Sequence, residues 1–178
     1  MNMATASLSP ARDSEKMPEE NYHLRRKEKA IKDAAELLEI LSQQCVVTIA
    51  MCKDDRPYLV SLNYFFDPKK NSLYFHCASE GKKLDYLTAN SSVWGQVLED
   101  NGYISGECDY AYRTVHFKGR TRQVTSLTEK RRALELLIEK MERDPDKAKR
   151  EHIKGDSLDR VAIYRIDIEE MTGKKRAR

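Results

Sequence analysis

The chain lacks most of the short signatures that would assign it at once. No C-x-x-C pair occurs among its four cysteines, and no Cys–His spacing fits a zinc finger. That excludes the common structural zinc modules and a thioredoxin-type redox pair. No G-x-G-x-x-G is present, so a Rossmann dinucleotide fold is not supported. No apolar run is long enough to span a bilayer, and MNMATASLSPARDSEK has no apolar h-region of a secretory signal. An excess of one charge is missing too: 32 basic against 29 acidic residues leave +3, too even to indicate nucleic-acid binding by itself. The expectation is one cytoplasmic domain with free thiols, long enough at 178 residues to bury a real core. Cys45, Cys52 and Cys77 lie in or next to apolar runs and are expected to be core residues.

What the chain does have is a succession of short β-type segments. Residues 1–22 are small, polar and charged and read as a flexible leader, which leaves 23–178 for the domain. Asp33 with Glu36 reads as a capping box opening a helix over 33–43, with Ala34, Leu37, Leu38 and Leu41 at helical spacing. Strands are predicted at 45–52, 58–66 and 72–78, joined by the turns KDDRP and DPKKN. Connections that short force antiparallel pairing. KKLDYLTAN predicts a short helix at 82–90. SVWGQVLED predicts a fourth strand, with Gly95 as a bulge and Trp94 as a packing residue.

Residues 101–111 read as a loop, with Tyr103 again as packing. YRTVHFKGRTRQVT alternates, with Thr114, His116 and Lys118 on one face and Val115 and Phe117 on the other. Ser126 and Glu129 predict a second capping box, before a helix striped by Leu134, Leu137, Ile138 and Met141. RDPDKAKREHIKGDS predicts a short helix plus loop, and residues 159–173 a last strand. The fold class expected is α+β, mainly β: a six-stranded antiparallel split barrel with flanking helices, closure removing exposed strand edges.

One junction carries chemistry. In LYFHCASEGKKLDYL, Ser79, Gly81, Lys82 and Lys83 lie between a strand and a helix start. Free N–H groups, a positive dipole end and two lysines favour an anion there. The pattern is not a P-loop, because the first glycine and the Lys-Ser/Thr pair are missing. Taken alone, a solvated turn with surface lysines is the commoner meaning. His76 is equally readable as a hydrogen-bonded strand histidine or as a donor or proton relay beside a cofactor. Cys77 points to the opposite face, so the two make a poor metal pair or dyad. Tyr110, Tyr112, Arg113 and Thr114 could stack on a base or a flavin ring, or simply form a polar outer strand face.

Taken in order, RRKEKAIKD, CVVTIAM, RPYLVSLNYFFD, LYFHCASEGKKLDYLTAN, YRTVHFKGRTRQV and VAIYRIDIEEMTGKK resemble the pyridoxamine 5′-phosphate oxidase-like flavin-binding split barrels, in the branch of the nitroimidazole-resistance proteins. The likeness covers roughly residues 22–175. It implies a homodimer with FMN at the subunit interface, and a small-molecule electron acceptor. It implies that the strand carrying Val60, Ser61, Leu62 and Asn63 lies along the flavin ring and offers it backbone groups. It places His76, Ala78, Ser79, Lys82 and Lys83 near the ribityl chain and phosphate, with His76 as the catalytic, ring- or substrate-facing group. Tyr112, Arg113 and Thr114 match the family's YRSV segment, with Thr for Ser.

The function implied is an oxidoreductase passing electrons from reduced flavin to a nitroaromatic, quinone or flavin-like substrate, with no metal. The alternatives are a flavin-binding or sensing module without turnover, and a split barrel that holds deazaflavin or haem. A basic nucleic-acid-binding barrel is a further alternative, resting on the short runs at 25–29 and 174–178. Neither a membrane nor nucleic acid is the partner expected.

Overall fold

The structure, a computed structural model, describes residues 24, 26–154, 158 and 161–177. The leader expected at 1–22 lies outside the described residues. A short β1 (Ala30–Ile31) is followed by α1 (Ala34–Gln43), then β2 (Val46–Lys53) and β3 (Arg56–Asn63). Next come β4 (Phe65–Asp67), β5 (Ser72–Ala78) and α2 (Lys82–Ala89). The chain continues through β6 (Ser92–Ile104), β7 (Asp109–Gln123), α3 (Leu127–Met141), α4 (Pro145–His152) and β8 (Val161–Arg176). All pairings are antiparallel, and the sheet runs β3-β2-β6-β7-β8-β5-β4, with β1 added on β8.

The split-barrel class holds, with eight strands among the described residues instead of six. One addition is the two-residue β1. The other is a break in the run expected as one strand at 58–66, which Tyr64 divides into β3 and β4. That break defines the architecture. β3 and β4 are the two ends of the strand order, yet a single residue joins them. A flat sheet of this width cannot satisfy that link, so the sheet curls until its ends meet.

Tyr64 pins the meeting point. Its side chain is fully buried and its hydroxyl donates to the Leu41 carbonyl at 2.6 Å. Its backbone N–H donates to the Cys45 carbonyl at 3.2 Å. Lys140 of α3 lies 4.4 Å over the ring and donates to the Gln44 carbonyl. Desolvation comes first among the causes that raise the Tyr64 pKa, followed by Cys45. The phenol therefore stays a neutral donor.

Alternation fills the interior. Val47, Ile49 and Met51 of β2, Val93 and Val97 of β6, Val115 and Phe117 of β7, and Phe75 of β5 form the main core with Leu37, Ile40 and Leu41 of α1. A smaller cluster of Tyr74, Val124, Ala133 and Ile163 seats α3 on the outside of β5 and β8. Gly95 is not at a bulge: it pairs regularly with Ile49 and Phe117. A Cβ there would come within 2.0 Å of the Phe117 ring, so the glycine makes room for an aromatic. The irregularity in β6–β7 lies between Asp100 and Tyr103, inside a hairpin that replaces the loop expected at 101–111.

Three other expectations are corrected. Only Cys77 of the three expected core cysteines is buried, while Cys45 is partly buried and Cys52 exposed. Trp94 and Tyr103 are 47% and 58% exposed, because both occupy outward positions of β6. Neither capping glutamate closes its box. Asp33 accepts from the Ala35 N–H at 2.9 Å and Ser126 from the Glu129 N–H at 3.4 Å, as caps should. Glu36 instead bonds Lys175 at 2.7 Å, and Glu129 accepts from the Tyr74 hydroxyl at 2.7 Å. Both carboxylates tie a helix start to the barrel wall.

The Tyr64 link predicts a stability cost. Tyr64→Phe leaves the Leu41 carbonyl without this donor, so we expect a loss of about 1–3 kcal/mol. A denaturant midpoint unchanged from wild type would show that the pin is not needed.

Candidate functional site

Curling leaves a seam. Among the described residues β3 pairs only with β2, and β4 covers only Ser72–Tyr74 of β5. The far edge of β3 and the end of β5 beyond Tyr74 therefore face each other without a ladder between them. An edge strand of this kind presents backbone N–H and C=O groups to whatever enters. Val60 and Leu62 point inward and pack on the core, whereas Ser61 and Asn63 point outward. Ser61 bonds Thr48 at 2.9 Å, and the Asn63 amide donates to the Cys45 carbonyl at 3.4 Å.

On the other side of the seam, β5 alternates as expected. Phe75 and Cys77 are buried, and His76 and Ala78 are exposed. The strand ends at Ala78, Ser79 follows it, and α2 begins behind Gly81, whose φ of 129° is open to glycine and strained for other residues. No side chain caps α2. Its first-turn N–H groups and the lysines that follow make this the electropositive end of the seam.

The two lysines do different things. Adjacent residues leave a helix about 100° apart, which turns these two toward different neighbours. Lys83 is close enough to act on both His76 and Cys77 electrostatically. Lys82 instead lies 4.5 Å over the Tyr58 ring and 5.7 Å over the Tyr86 ring. Those rings tilt against each other at 5.2 Å. The Lys82–Tyr86 half of this arrangement was legible as an i,i+4 pair; Tyr58 comes from another strand, and no local pattern announces it.

His76 is exposed at the surface, yet enough of its ring is shielded that desolvation, followed by the Lys83 charge, holds its pKa below the ordinary value. At neutral pH it is therefore an uncharged imidazole, able to donate from one nitrogen and accept at the other. Burial pushes the Cys77 thiol up against the opposing pull of Lys83, so it is a packing thiol.

The YRT segment is not brought to this seam within one chain. Tyr112 pairs with Arg176 and Arg113 with Lys175, whereas His76 pairs with Ile163 on the same β8, roughly 40 Å of strand away. Arg113 is engaged by Glu99 at 2.7 Å, Glu39 at 3.3 Å and Glu36 at 3.8 Å. The Glu99 hydrogen bond leads the causes that raise its pKa further, so it remains a cation throughout. It lines a cleft of about 500 Å³ with Lys175 and Arg176 instead of the seam. Thr114 is buried, donates to the Val97 carbonyl at 2.9 Å, and shares the outer sheet face with Ser61 and Asn63.

That outer face has a pattern of its own. Ser61, Thr48, Gln96 and His116 form one row across β3, β2, β6 and β7. Leu59, Ala50 and Trp94 flank it on one side, and Val46 and Leu98 lie on the other. Leu59, Trp94, Val46 and Leu98 are all exposed. Among the described residues no group of three or more His, Cys, Asp or Glu could hold a metal, and no helix is long and apolar enough to cross a membrane.

A family model described as pyridoxamine 5′-phosphate oxidase matches residues 33–175. A comparison with curated proteins gives no match. Among solved structures, the chain is similar to a candidate 5-nitroimidazole antibiotic resistance protein from Bacteroides thetaiotaomicron, at 21% identity and a TM-score of 0.67, over 82% of this chain and 85% of that one. It is similar to a FAD-binding protein from Mesorhizobium loti at 25% identity and a TM-score of 0.61, over 82% of this chain and 96% of that one. It is also similar to a flavocytochrome from Azotobacter vinelandii at 16% identity and a TM-score of 0.74, over 86% and 72% of the respective chains.

The pairing of Lys83 with His76 can be tested directly. Lys83→Gln removes one of the two causes of the lowered His76 pKa, so its NMR titration midpoint should move up and stay below the ordinary value. The sign for stability follows: folding disfavours the proton, so wild type loses stability as pH falls below about 6.5, and the variant loses less. An unmoved midpoint would place Lys83 too far away to matter.

Proposed function

The chain belongs to the pyridoxamine 5′-phosphate oxidase family, and from that premise we propose that it is a homodimeric FMN-binding oxidoreductase acting on a small acceptor such as a nitroaromatic or a quinone. The observation that carries this reading is the seam. An unpaired strand edge faces a neutral histidine and a lysine-bearing, uncapped helix N-terminus.

FMN asks for a site for its phosphate, an apolar slot for its ring and polar backbone near the ring edge. The residues present fit. Lys83, Lys82 and the first turn of α2 suit the phosphate, with the Ser79 hydroxyl as a further donor. The free edge of β3 at Val60–Asn63 suits the ring's polar edge. His76 and Ala78 border the space between. The FAD-binding relative and the flavocytochrome are flavin proteins by their own names, which supports a flavin over a non-flavin ligand.

When bound, the flavin supplies the hydride or electron transfer to the acceptor. The chain's residues bind and orient. Lys83 would contribute positive charge beside the phosphate and adds to the desolvation that disfavours a proton on the neighbouring imidazole. Neutral His76 donates a hydrogen bond to the ring or to the acceptor without adding a charge. The β3 backbone at Val60–Asn63 would hold the polar edge of the ring.

The second copy follows from two features. Exposed Leu59, Trp94, Val46 and Leu98 form an apolar face with a polar centre, the composition of a self-complementary interface. A stable interface needs roughly 800 Å² from each partner, which a four-strand face can supply. Tyr112, Arg113 and Thr114 are remote from His76 along their own β8, so in this reading they approach the flavin from the second copy. Arg113 does so chiefly by holding β7 through its glutamates.

Two measurements test the proposal. Purified protein should be yellow and release FMN on denaturation; colourless protein that takes up no added FMN would reject the reading. A released FAD or deazaflavin, or a haem spectrum, would change the cofactor, and bound FMN without NAD(P)H-driven reduction of a nitro compound or quinone would make it a binding module. Trp94→Glu places a charge on the proposed interface. It should sediment as a monomer and lose FMN, and a wild-type-like dimer would move the interface elsewhere.

A further inference from the structure

Tyr58, Lys82 and Tyr86 form an arrangement that the flavin reading does not by itself require. Lys82 is exposed and has no carboxylate partner among the described residues, so its ammonium could sample many rotamers. Instead it stands 4.5 Å over the Tyr58 ring and 5.7 Å over the Tyr86 ring. Tyr58 projects from β3 and Tyr86 from α2, and both rings are half-buried against the core. The two rings therefore come from opposite sides of the seam and meet over one lysine. A cation is attracted to the ring faces, and that attraction leaves ammonium hydrogens directed away from the rings.

We propose that Tyr58 and Tyr86 are positioning residues that hold Lys82 as a preorganised cation at the anion end of the seam. The proposal rests on the flavin reading for its ligand, a phosphate monoester. Its argument is entropic as well as electrostatic. Lysine is among the costliest side chains to immobilise, and a ligand that must fix a mobile lysine loses that much affinity. A lysine already held by two rings imposes no such cost. The clamp also explains why the two lysines are adjacent. Lys83 supplies charge toward His76, and Lys82 supplies charge toward the β3 side, so a bound phosphate meets positive charge from both walls.

The clamp makes Lys82 matter for the phosphate and not for the ring, which separates it from a structural role. Binding of FMN and of riboflavin, which lacks the phosphate, is measured for wild type, Lys82→Met, Tyr86→Leu, Tyr86→Phe and the Lys82→Met/Tyr86→Leu double variant. We expect Tyr86→Leu to weaken FMN binding several-fold, up to about thirtyfold, the bound set by the entropy of fixing a free lysine side chain. Riboflavin binding should not change. Tyr86→Phe keeps a ring face and should bind FMN like wild type, and the double variant should be no weaker than Lys82→Met alone.

Equal losses for FMN and riboflavin, or losses that add in the double variant, would overturn the proposal. A second readout needs no ligand: the Lys82 ε-methylene protons should be shifted upfield by ring current in wild type and Tyr86→Phe, move part of the way back in Tyr86→Leu, and return fully only when Tyr58→Leu is added. Unshifted protons in a wild type that binds FMN would remove the clamp and leave the flavin reading standing. A wild type that binds neither flavin would remove the flavin reading, and with it the phosphate role of the clamp.

Discussion

The short link at Tyr64 is the constraint on which the rest of the molecule depends. Two strands at opposite ends of the sheet order are neighbours in sequence, and the residue between them is buried and hydrogen-bonded to α1. The sheet must curl to obey that link, and curling creates an interior that α1 plugs with Leu37, Ile40 and Leu41. Gly95 and Gly173 then make room for side chains the curvature brings close: the Phe117 ring at one, Leu37 and Ile31 at the other. Closure is local, because β4 covers three residues of β5 and stops.

The candidate site is the remainder of that closure. Where the ladder ends, an edge strand is left with unpaired backbone, a feature proteins normally blunt or cover. Here the opening is flanked by a helix start, two lysines and a histidine. Structural economy and chemistry thus coincide: the groups that would be a liability on an exposed edge are the groups a planar, polar-edged ligand uses. Among the described residues the ion pairs lie elsewhere. Glu36, Glu99 and Glu39 gather around Arg113, and Glu129 gathers Tyr74, Lys70 and Arg165, so these charges brace helices against the barrel while Lys83 keeps its charge for the seam.

Much of this was legible in the chain, for identifiable reasons. Period-two alternation located β7 and β8, β-branched and apolar composition between turns located β2 and β5, and strand geometry put His76 and Cys77 on opposite faces. Caps at Asp33 and Ser126 marked helix starts because orphan N–H groups must be satisfied locally. What could not be read were contacts between distant segments. Nothing near Glu36 or Glu129 says that their carboxylates leave the capping box for Lys175 and Tyr74. Trp94 looked like core because it is aromatic and next to Val93; it lies outside because Val93 and Gly95 take the inward positions. The break at Tyr64 was invisible, since YLVSLNYFF has the composition of one uninterrupted strand.

The position of β8 has a consequence for how the chain is made. Val161–Arg176 is late in the sequence, yet it lies mid-sheet, laddered to β7 on one side, β5 on the other, and β1 beyond. During synthesis β5 emerges as SLYFHCA with no strand to take its long edge until residue 161 and those after it have left the ribosome. The nascent chain carries an apolar β segment, paired only at Ser72–Tyr74 by β4, through the making of two strands and three helices. Its long-edge partner is β8, so the barrel cannot close on this side before the segment from residue 161 onward is available, a pairing of high sequence separation that forms late.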